Sequence, residues 1–315
     1  MDTKNIVEII SIRKTAIVYH ANCVDGFTSA YIASKFLDLD RCEFFPETYG
    51  SQQPTSFYRL RGFEAVVYLD FMPAIEEWSI HPGIVGVVID HHPKSLEDVK
   101  LAHPKWVNIL DSKYSGAMLT YMFFAGKPAE SKLIHYVQDY DLYKFELPKS
   151  RQINAFIASV DKTFIEYQFL SKTLDNNPEL CSVLGSAILK NQENMIKRIN
   201  KNALKINNIT YVNSAILVNE LGDSHSGSVC IWHVMESGRF KCSFRGIDAR
   251  KLAQLLGGEG HELAAGAITE VLPWEAINSA LSLNLTTTEE LPQISRGDSG
   301  SGESSSSTSD QMDLF

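Results

Sequence analysis

Four short apolar runs rich in β-branched residues recur within the first 110 residues, and they limit the fold more than any other feature of the chain. The runs span residues 16–20, 65–70, 85–90 and 107–110. Stretches with helical spacing of apolar residues separate most of them. Continuous apolar strands that alternate with helices are typical of parallel sheets, in which both faces are covered. The sequence therefore predicts an α/β domain built on a parallel sheet.

Three of these runs end in a polar residue. AIVYH ends at His20, VVYLD ends at Asp70, and VVID ends at Asp90, which His91 and His92 follow directly. In open α/β sheets, ligands bind beyond the carboxyl ends of the strands. We therefore expect these five side chains to converge on one crevice.

The loop after the first run adds further candidate ligands. His20, Cys23 and Asp25 lie on this loop, and Gly26 is expected to allow the turn into a helix that begins near Phe27. Imidazole and carboxylate groups are the ligands that hard and borderline divalent cations prefer. The loop therefore predicts part of a metal site.

Asp70 follows a strongly apolar run, and no Lys or Arg lies close to it in sequence. A carboxylate in such a place loses hydration and needs a compensating cation. A lone Asp at a strand end is commonly a cap or turn residue, and a lone His is commonly a hydrogen-bonded residue. Three polar strand ends together favour a shared metal site instead.

The second half of the chain predicts a smaller domain. Residues 179–207 carry apolar positions at helical spacing, which indicates a long connecting helix. The runs that follow indicate strands at 215–218, 229–233 and 239–244, then a helix at 251–256 and a glycine-rich turn at 257–261. We expect this second domain to be mixed α/β.

Composition limits the partners. The 315 residues include 29 Lys plus Arg against 38 Asp plus Glu, a net charge of −9, which disfavours binding of duplex nucleic acid through a broad positive surface. No apolar run approaches the ~20 residues that span a bilayer, and no signal peptide is evident, so we expect a cytoplasmic protein without membrane association. The five cysteines contain no Cys-x-x-Cys pair, which argues against a disulfide framework or a thiolate zinc cage.

The ordered set of motifs resembles the DHH superfamily of phosphoesterases, which is named after the Asp-His-His present here at residues 90–92. The family's first motif corresponds to residues 20–26 and its second to Asp70. A fourth-motif candidate lies in VQDYDLYKF, where Asp139 and Asp141 compete. GGEGHELAAG at residues 257–266 resembles the DHHA1-type signature of the family's C-terminal domain.

The resemblance implies two divalent ions, usually manganese with magnesium as the alternative, which activate water for attack on phosphorus. The implied ligands are Asp70 as a bridge, His20 for one ion, and Asp25, His91 and Asp141 for the other. His92 then faces the substrate or orients the ligands, and together with Asp90 it is assigned a catalytic role.

This sequence departs from the family's commoner first motif, His-x-Asp-x-Asp-Gly. Cys23 replaces the acid two residues before Asp25, with Asn22 as a neighbouring, weaker oxygen donor. Cys23 is either a thiolate ligand, which favours a softer metal, or a small buried hydrophobic residue. Whether a metal ion occupies the site assigned to His20 therefore stays open at this point.

The glycine-rich segment predicts a phosphate site in the second domain. Glycines let a phosphate approach backbone N–H groups, a His donates to a phosphate oxygen, and an Arg binds it bidentately. A structural turn is the alternative, and the resemblance to the DHHA1 loop favours substrate binding. Glu259 stands where the family often has glycine, so its carboxylate is expected to point away. The predicted substrate-binding residues are Arg245, Gly257, Gly258, Gly260 and His261.

The last 21 residues change abruptly to Ser, Gly, Thr and acids, and we expect this tail to be disordered. Its tip resembles the bacterial sliding-clamp-binding pentapeptide, Gln-Leu-Ser/Asp-Leu-Phe, with Met in place of the first Leu. Apolar side chains on such a tail serve as anchors in a partner's pocket. The resemblance implies a DNA polymerase sliding clamp as partner, in a bacterium or its virus. The tip residues are Gln311, Met312, Asp313, Leu314 and Phe315.

We thus expect a metal-dependent phosphodiesterase that hydrolyses short or single-stranded nucleic acids, similar to RecJ-like exonucleases and short-oligonucleotide nucleases. One alternative is a phosphodiesterase for cyclic dinucleotides or nucleoside phosphates. Another is a non-catalytic, clamp-tethered binding module, which Cys23 keeps open. The expected segments are a catalytic domain at 1–178, a linker helix at 179–208, a substrate-binding domain at 209–288 and a tail at 289–315.

Overall fold

The computed structural model describes residues 3–48, 62–72, 84–92 and 106–287. The chain forms two compact units that divide between Asn194 and Met195. The tail and its clamp-like tip at 311–315 lie outside the described residues. None of the described helices combines the length and the apolar character that a bilayer crossing requires.

The first unit is built on a parallel sheet, which confirms the predicted fold class. The described strands lie in the order β2-β1-β3-β4-β5, and neighbouring strands pair in parallel. Each of the four predicted runs forms a strand, whereas β2 was not predicted. The strands are β1 (Thr15–His20), β2 (Cys42–Glu47), β3 (Ala65–Leu69), β4 (Val85–Asp90) and β5 (Val107–Leu110).

Described helices cover one face of this sheet, and its central strands are apolar on both faces. Val67 and Leu69 of β3 pack into one buried cluster, while Val66 and Tyr68, which point the other way, pack into a second. The helices are α1 (Thr3–Ile12), α2 (Val24–Phe36), α3 (Gly116–Ala125), α4 (Lys132–Asp141), α5 (Ser150–Ser159), α6 (Phe164–Asn176) and α7 (Pro178–Asn200).

The second unit contains a mixed sheet in the order β10-β11-β9-β8-β7-β6, so the predicted mixed α/β character is confirmed. β7 and β8 pair in parallel, and the other described neighbours pair antiparallel. The elements are β6 (Leu204–Ile206), β7 (Ile209–Asn213), α8 (Val218–Asp223), β8 (Ser228–Val234), β9 (Phe240–Arg245), α9 (Ala249–Leu255), β10 (Glu259–His261), β11 (Ala264–Thr269) and α10 (Pro273–Thr287).

Two local predictions for the second unit are wrong. The long helix α7 ends at Asn200 rather than near residue 207, because the chain turns into β6 at Leu204, and Asn207 and Asn208 then adopt left-handed backbone angles. Two successive left-handed residues form the tight turn of a β-hairpin, here between β6 and β7. The predicted strand at 215–218 is also absent, because Leu217 is left-handed and Ile216 is 54% exposed.

Candidate metal centre

The three polar strand ends meet at the carboxyl edge of the parallel sheet. His20 is the last residue of β1, Asp70 directly follows β3, and Asp90 is the last residue of β4. In the order β2-β1-β3-β4-β5, the direction of strand succession reverses between β1 and β3. Crevices for ligands form at such a reversal in open α/β sheets.

Asp70 lies at the centre of this crevice, and its side chain is 1% exposed. Its Oδ2 is 3.5 Å from Nδ1 of His20, and its Oδ1 is 3.2 Å from Nε2 of His91 and 3.9 Å from Nδ1 of His92. The backbone of Asp70 is left-handed, with φ of 53°, and its N–H donates to the carbonyl of Ile89 at 2.8 Å. This unusual conformation turns the carboxylate into the crevice rather than along the strand.

A second set of ligands surrounds His91. Its Nε2 is 3.3 Å from Oδ2 of Asp141 and 3.8 Å from Oδ2 of Asp25. Asp25, His91 and Asp141 thus offer one ligand atom each within 4.8 Å of one another. His20, Cys23 and Asp70 form another such group, so Asp70 faces both sets.

The residues present fit divalent cations. No hydrogen bond of acceptable geometry reaches either carboxylate oxygen of Asp70, or Oδ2 of Asp141, from the described residues, although all three atoms are buried. Buried carboxylate oxygens without donors are costly unless a cation compensates them. Oxygen donors combined with imidazole suit Mn²⁺ and Mg²⁺, and the thiol of Cys23 adds a softer donor.

Asp25 is positioned by two helices. The helix α2 begins at Val24 with Cys23 as its N-cap, three residues before the predicted start, and Asp25 lies in its first turn. Its Oδ2 accepts a hydrogen bond from the N–H of Gly116 at 2.6 Å, and its Oδ1 accepts one from Ala117 at 3.0 Å. These donors belong to the first turn of α3, where unpaired N–H groups and the helix dipole favour an anion.

Gly116 is a site residue that the sequence prediction missed. A Cβ at this position would lie 2.7 Å from Cβ of Asp70, and 2.9 Å from carboxylate oxygens of both Asp25 and Asp70. Glycine is thus required for α3 to approach the two carboxylates. The available signal was Ser115-Gly116 before an apolar run, since Ser115 is the N-cap of α3 and accepts a hydrogen bond from the N–H of Met118.

The predicted role of Gly26 as a turn residue is wrong. Gly26 lies inside α2, and a Cβ there would lie 2.3 Å from the carbonyl oxygen of His20. The glycine therefore permits close packing of the helix against the end of β1. That packing keeps His20 and Asp25 on the same side of the crevice.

Asp90 holds His92 and also lies close to Asp70, since ligand atoms of Asp70, Asp90, His91 and His92 all lie within 4.8 Å of one another. Oδ1 of Asp90 lies 2.7 Å from Nδ1 of His92 and also accepts hydrogen bonds from the backbone N–H groups of His91 and His92. The hydrogen bond that His92 donates to Asp90 is the main cause of the raised pKa of His92. Asp90 therefore fixes the orientation and the protonated nitrogen of that ring.

The structure distinguishes the two fourth-motif candidates. Oδ2 of Asp141 lies 3.3 Å from Nε2 of His91, within the cluster. The carboxylate of Asp139 instead accepts hydrogen bonds from the N–H of Glu146 at 2.9 Å and of Leu147 at 3.4 Å. Asp139 thus organises the loop after α4, whereas Asp141 faces the candidate metal ligands.

The acids of the cluster repel one another, and this repulsion appears in their pKa values. Burial, and then the charge of Asp70, raise the pKa of Asp141 to about 6. Burial and the charges of Asp70 and Asp141 raise the pKa of Asp25. Burial opposes charge on His91, but the close contact with Asp70 and the charges of Asp25 and Asp141 outweigh it and raise the His91 pKa to about 9.

Stability should depend on pH and Mn²⁺ together. Because the folded-state pKa of Asp141 is raised, folding binds an extra proton, so the metal-free protein should lose stability as pH rises from about 4 to about 6. Protons on Asp141 and His91 compete with a cation, so Mn²⁺ should raise the melting temperature more at pH 7.5 than at pH 5. Differential scanning calorimetry of wild type and Asp141→Asn checks this, and a pH-independent Mn²⁺ effect in wild type would contradict it.

Cys23 lies among the ligands and is partly buried. Burial raises the pKa of its thiol, and the charges of Asp70 and Asp25 raise it further. Without a bound cation the sulfur is therefore a neutral thiol.

The predicted substrate-binding residues of the second unit lie on neighbouring strands. Arg245 ends β9 and pairs in register with Ala264 of β11, which also pairs with His261 of β10. Nε and Nη2 of Arg245 donate to Oδ1 of Asn219, which fixes the guanidinium. These contacts place Arg245 and His261 at one end of the mixed sheet.

The glycines of this segment have structural roles in the backbone. A Cβ on Gly258 would lie 2.1 Å from the carbonyl oxygen of Gly266, and one on Gly260 would lie 2.4 Å from Cα of Ala265. Gly257 has a left-handed backbone, with φ of 72°. The glycines therefore let β10 approach β11 closely.

Comparison with known proteins identifies a viral protein of similar sequence. No family model matches the chain. The uncharacterized protein R106 of Acanthamoeba polyphaga mimivirus is 24% identical over 311 residues, which cover 85% of this chain and 72% of R106.

Solved structures show the same architecture. Exonuclease RecJ bound to manganese superposes with a TM-score of 0.56 at 13% identity, covering 93% of this chain and 97% of RecJ. The chain has a RecJ-like fold. The DHH domain of PF0399 matches with a TM-score of 0.52 at 14% identity, covering 90% of this chain and 89% of that domain. The pGpG-specific phosphodiesterase PggH from Vibrio cholerae matches with a TM-score of 0.51 at 10% identity, covering 87% of this chain and 99% of PggH.

Proposed function

We propose that this protein is a metal-dependent phosphodiesterase of the DHH type that hydrolyses short or single-stranded nucleic acids. The observation that carries the proposal is the convergence of two ligand groups on Asp70, whose buried carboxylate oxygens lack hydrogen-bond donors among the described residues. His20, Cys23 and Asp70 would hold one cation, and Asp25, His91 and Asp141 a second that shares Asp70. Bound cations supply Lewis-acid stabilisation of charge on phosphate oxygens and activation of water.

In this proposal, neighbouring residues orient His92 and Asp25, and His92 supplies a proton. Asp90 holds Nδ1 of His92 at 2.7 Å, and the oriented His92 ring is the proposed donor to a phosphate oxygen. The hydrogen bond to Asp90 raises the pKa of His92. The N-terminal turn of α3 holds Asp25 in place through Gly116 and Ala117.

Manganese is the proposed metal, since it accepts both oxygen and nitrogen donors. Two ions are proposed. The thiol of Cys23 makes the site of His20, Cys23 and Asp70 the more tolerant of a softer cation. Titration of the metal-free protein with Mn²⁺, Mg²⁺ and Zn²⁺, followed by elemental analysis, measures both the identity and the number of ions. One bound ion per chain would restrict the proposal to the site of Asp25, His91 and Asp141.

The substrate class rests on charge and on the fold. A net charge of −9 suits short oligonucleotides better than long strands held on a broad positive surface. The RecJ-like fold supports a nucleic acid substrate, and the similarity to PggH over 99% of that chain favours a short dinucleotide as the second candidate. In the second unit, Arg245 and His261 are the proposed substrate ligands, together with the backbone at Gly260. The N–H groups of Gly257 and Gly258, predicted to bind phosphate, instead donate to the carbonyls of Gln254 and Ala253.

A panel of substrates tests the function. It comprises end-labelled DNA and RNA oligonucleotides of two to twenty nucleotides, a linear dinucleotide and cyclic dinucleotides, each incubated with Mn²⁺ and with a chelator. We expect Mn²⁺-dependent release of nucleotides from the ends of the shortest oligonucleotides. Cleavage of dinucleotides alone, linear or cyclic, would favour the second candidate. No cleavage of any substrate by metal-loaded protein would favour a binding module.

The proposed partner of residues 311–315 is a bacterial sliding clamp. From its Ser- and Gly-rich composition, a spacer of about 15 residues is expected to reach on the order of 20 Å, and a short peptide with two or three anchoring side chains is expected to bind with about micromolar affinity. Deletion of residues 311–315 should abolish binding to a purified bacterial clamp in calorimetry and leave turnover of short oligonucleotides unchanged. The variant with alanine in place of Leu314 and Phe315 is the matched control, because it keeps the length of the chain. Clamp binding that survives the deletion would refute this partner.

A further inference from the structure

Three aromatic side chains form an exposed cluster where α4 ends. The ring centroid of Tyr143 lies 6.5 Å from that of Tyr140 and 5.7 Å from that of Phe145, and the Tyr140 and Phe145 centroids are 5.6 Å apart. Tyr143 is 79% exposed and Tyr140 is 44% exposed. We call these three residues the aromatic platform.

The platform is held by an unusual backbone rather than by burial. Tyr143 and Phe145 are both left-handed, with φ of 53° and 52°, a conformation that bulky residues rarely adopt. The buried carboxylate of Asp139 accepts hydrogen bonds from the loop at Glu146 and Leu147, which fixes this backbone. Strained backbone that the surrounding structure maintains is concentrated at functional sites.

A cation supports the platform from the side of Phe145. The guanidinium carbon of Arg151 lies 4.0 Å from the ring centroid of Phe145, a cation–π contact. This contact stabilises the loop in addition to the hydrogen bonds that Asp139 accepts from it. Tyr143 is thus the most exposed ring of a supported aromatic surface.

The platform adjoins the candidate metal centre. Asp141, whose Oδ2 lies 3.3 Å from Nε2 of His91, stands between Tyr140 and Tyr143 in the chain. Consecutive Cα atoms are 3.8 Å apart, so the Cα atoms of Tyr140 and Tyr143 lie within about 8 Å of that of Asp141. The backbone of Tyr140 and Tyr143 therefore lies next to a candidate metal ligand.

We propose that Tyr140, Tyr143 and Phe145 stack a nucleobase of the substrate next to the phosphodiester at the metal centre. The inference rests on the proposed function and narrows it to substrates that carry a base at this position. Aromatic side chains bind bases of any identity, because every base presents a π face. Base-free phosphodiesters and inorganic polyphosphate would lack this contact.

Binding of a fluorescent base tests the platform without any catalysis. The probe is a phosphorothioate-linked trinucleotide that resists hydrolysis and carries 2-aminopurine at the 5′ or the 3′ end. Stacking on Tyr143 should quench the fluorescence in wild type at one of the two ends. Tyr143→Ala should lose the quenching and bind about tenfold more weakly, whereas Tyr143→Phe, which keeps the ring, should behave as wild type. Phe169→Ala removes a ring that is 61% exposed on α6 and should have no effect.

Kinetics provide the second readout. With an oligonucleotide substrate, Tyr143→Ala should raise KM about tenfold, whereas with the same oligonucleotide carrying an abasic terminal sugar, wild type and variant should be equal. An equal loss on both substrates, or the absence of quenching at both ends in wild type, would overturn the platform. Quenching without hydrolysis of any oligonucleotide would support the platform and refute the proposed enzyme.

Discussion

Replacing Asp70 by alanine should reduce Mn²⁺-dependent hydrolysis by about a thousandfold or more. Asp70 faces both ligand groups, with His20 at 3.5 Å and His91 at 3.2 Å, and it carries the buried oxygens that lack donors among the described residues. Each factor of ten in rate corresponds to about 1.4 kcal/mol, and Lewis-acid stabilisation contributes several kcal/mol. Loss of the shared ligand therefore removes most of the expected catalysis.

The measurement compares turnover of the best substrate by wild type, Asp70→Ala and Asp161→Ala, each loaded with Mn²⁺. Asp161 is an exposed carboxylate of the same unit, so its replacement should leave turnover unchanged. Elemental analysis of the same samples should show less manganese in Asp70→Ala. Turnover within threefold of wild type in folded Asp70→Ala would refute the metal centre.

Gly116→Ala should weaken Mn²⁺ binding by about a hundredfold, although the change adds one methyl group. The new Cβ would lie 2.9 Å from carboxylate oxygens of Asp25 and Asp70, so α3 or the carboxylates must move. A shift of α3 also lengthens the hydrogen bonds that Gly116 and Ala117 donate to Asp25. Metal ligands need their positions held closely, and lost support commonly costs 10–100-fold in affinity, roughly the size expected here.

Gly126→Ala is the matched control at the other end of α3. Gly126 is the left-handed C-cap of this helix, and no atom lies within 4 Å of a Cβ built there. This variant should lose about 1 kcal/mol of stability through backbone strain and keep its affinity for Mn²⁺. Calorimetric titration of both variants with Mn²⁺ separates the two effects. Equal affinities for Mn²⁺ in Gly116→Ala and wild type would show that the close approach of α3 is not needed for the site.

The local pattern of apolar runs with polar ends was enough to predict the parallel sheet and the residues at the carboxyl ends of its strands. A strand buried on both faces must be apolar along its whole length, and the runs ending at His20, Asp70 and Asp90 therefore stand out in the sequence. Parallel strands bring their carboxyl ends to one edge, so their polar termini meet. The sequence by itself thus determined the fold class of the first unit and the position of the candidate centre.

Left-handed asparagines and an exposed apolar run explain the errors in the second unit. Asn207-Asn208 forms a hairpin turn, and residues 215–218 are apolar without being a strand. Apolar periodicity cannot distinguish an exposed run from a buried one, because burial depends on neighbours distant in sequence.

The tertiary structure alone decided how the carboxylates are held. Asp139 and Asp141 are two residues apart and equally acidic, but the first binds the N–H groups of its own loop and the second faces His91. Gly116 comes within reach of Asp25 only because α3 packs its first turn against that carboxylate, 91 residues away in the chain. Such contacts depend on the packing of whole elements, which a one-dimensional pattern of polar and apolar residues does not encode. The sequence therefore determined which groups reach the crevice, and packing decided which of them point into it.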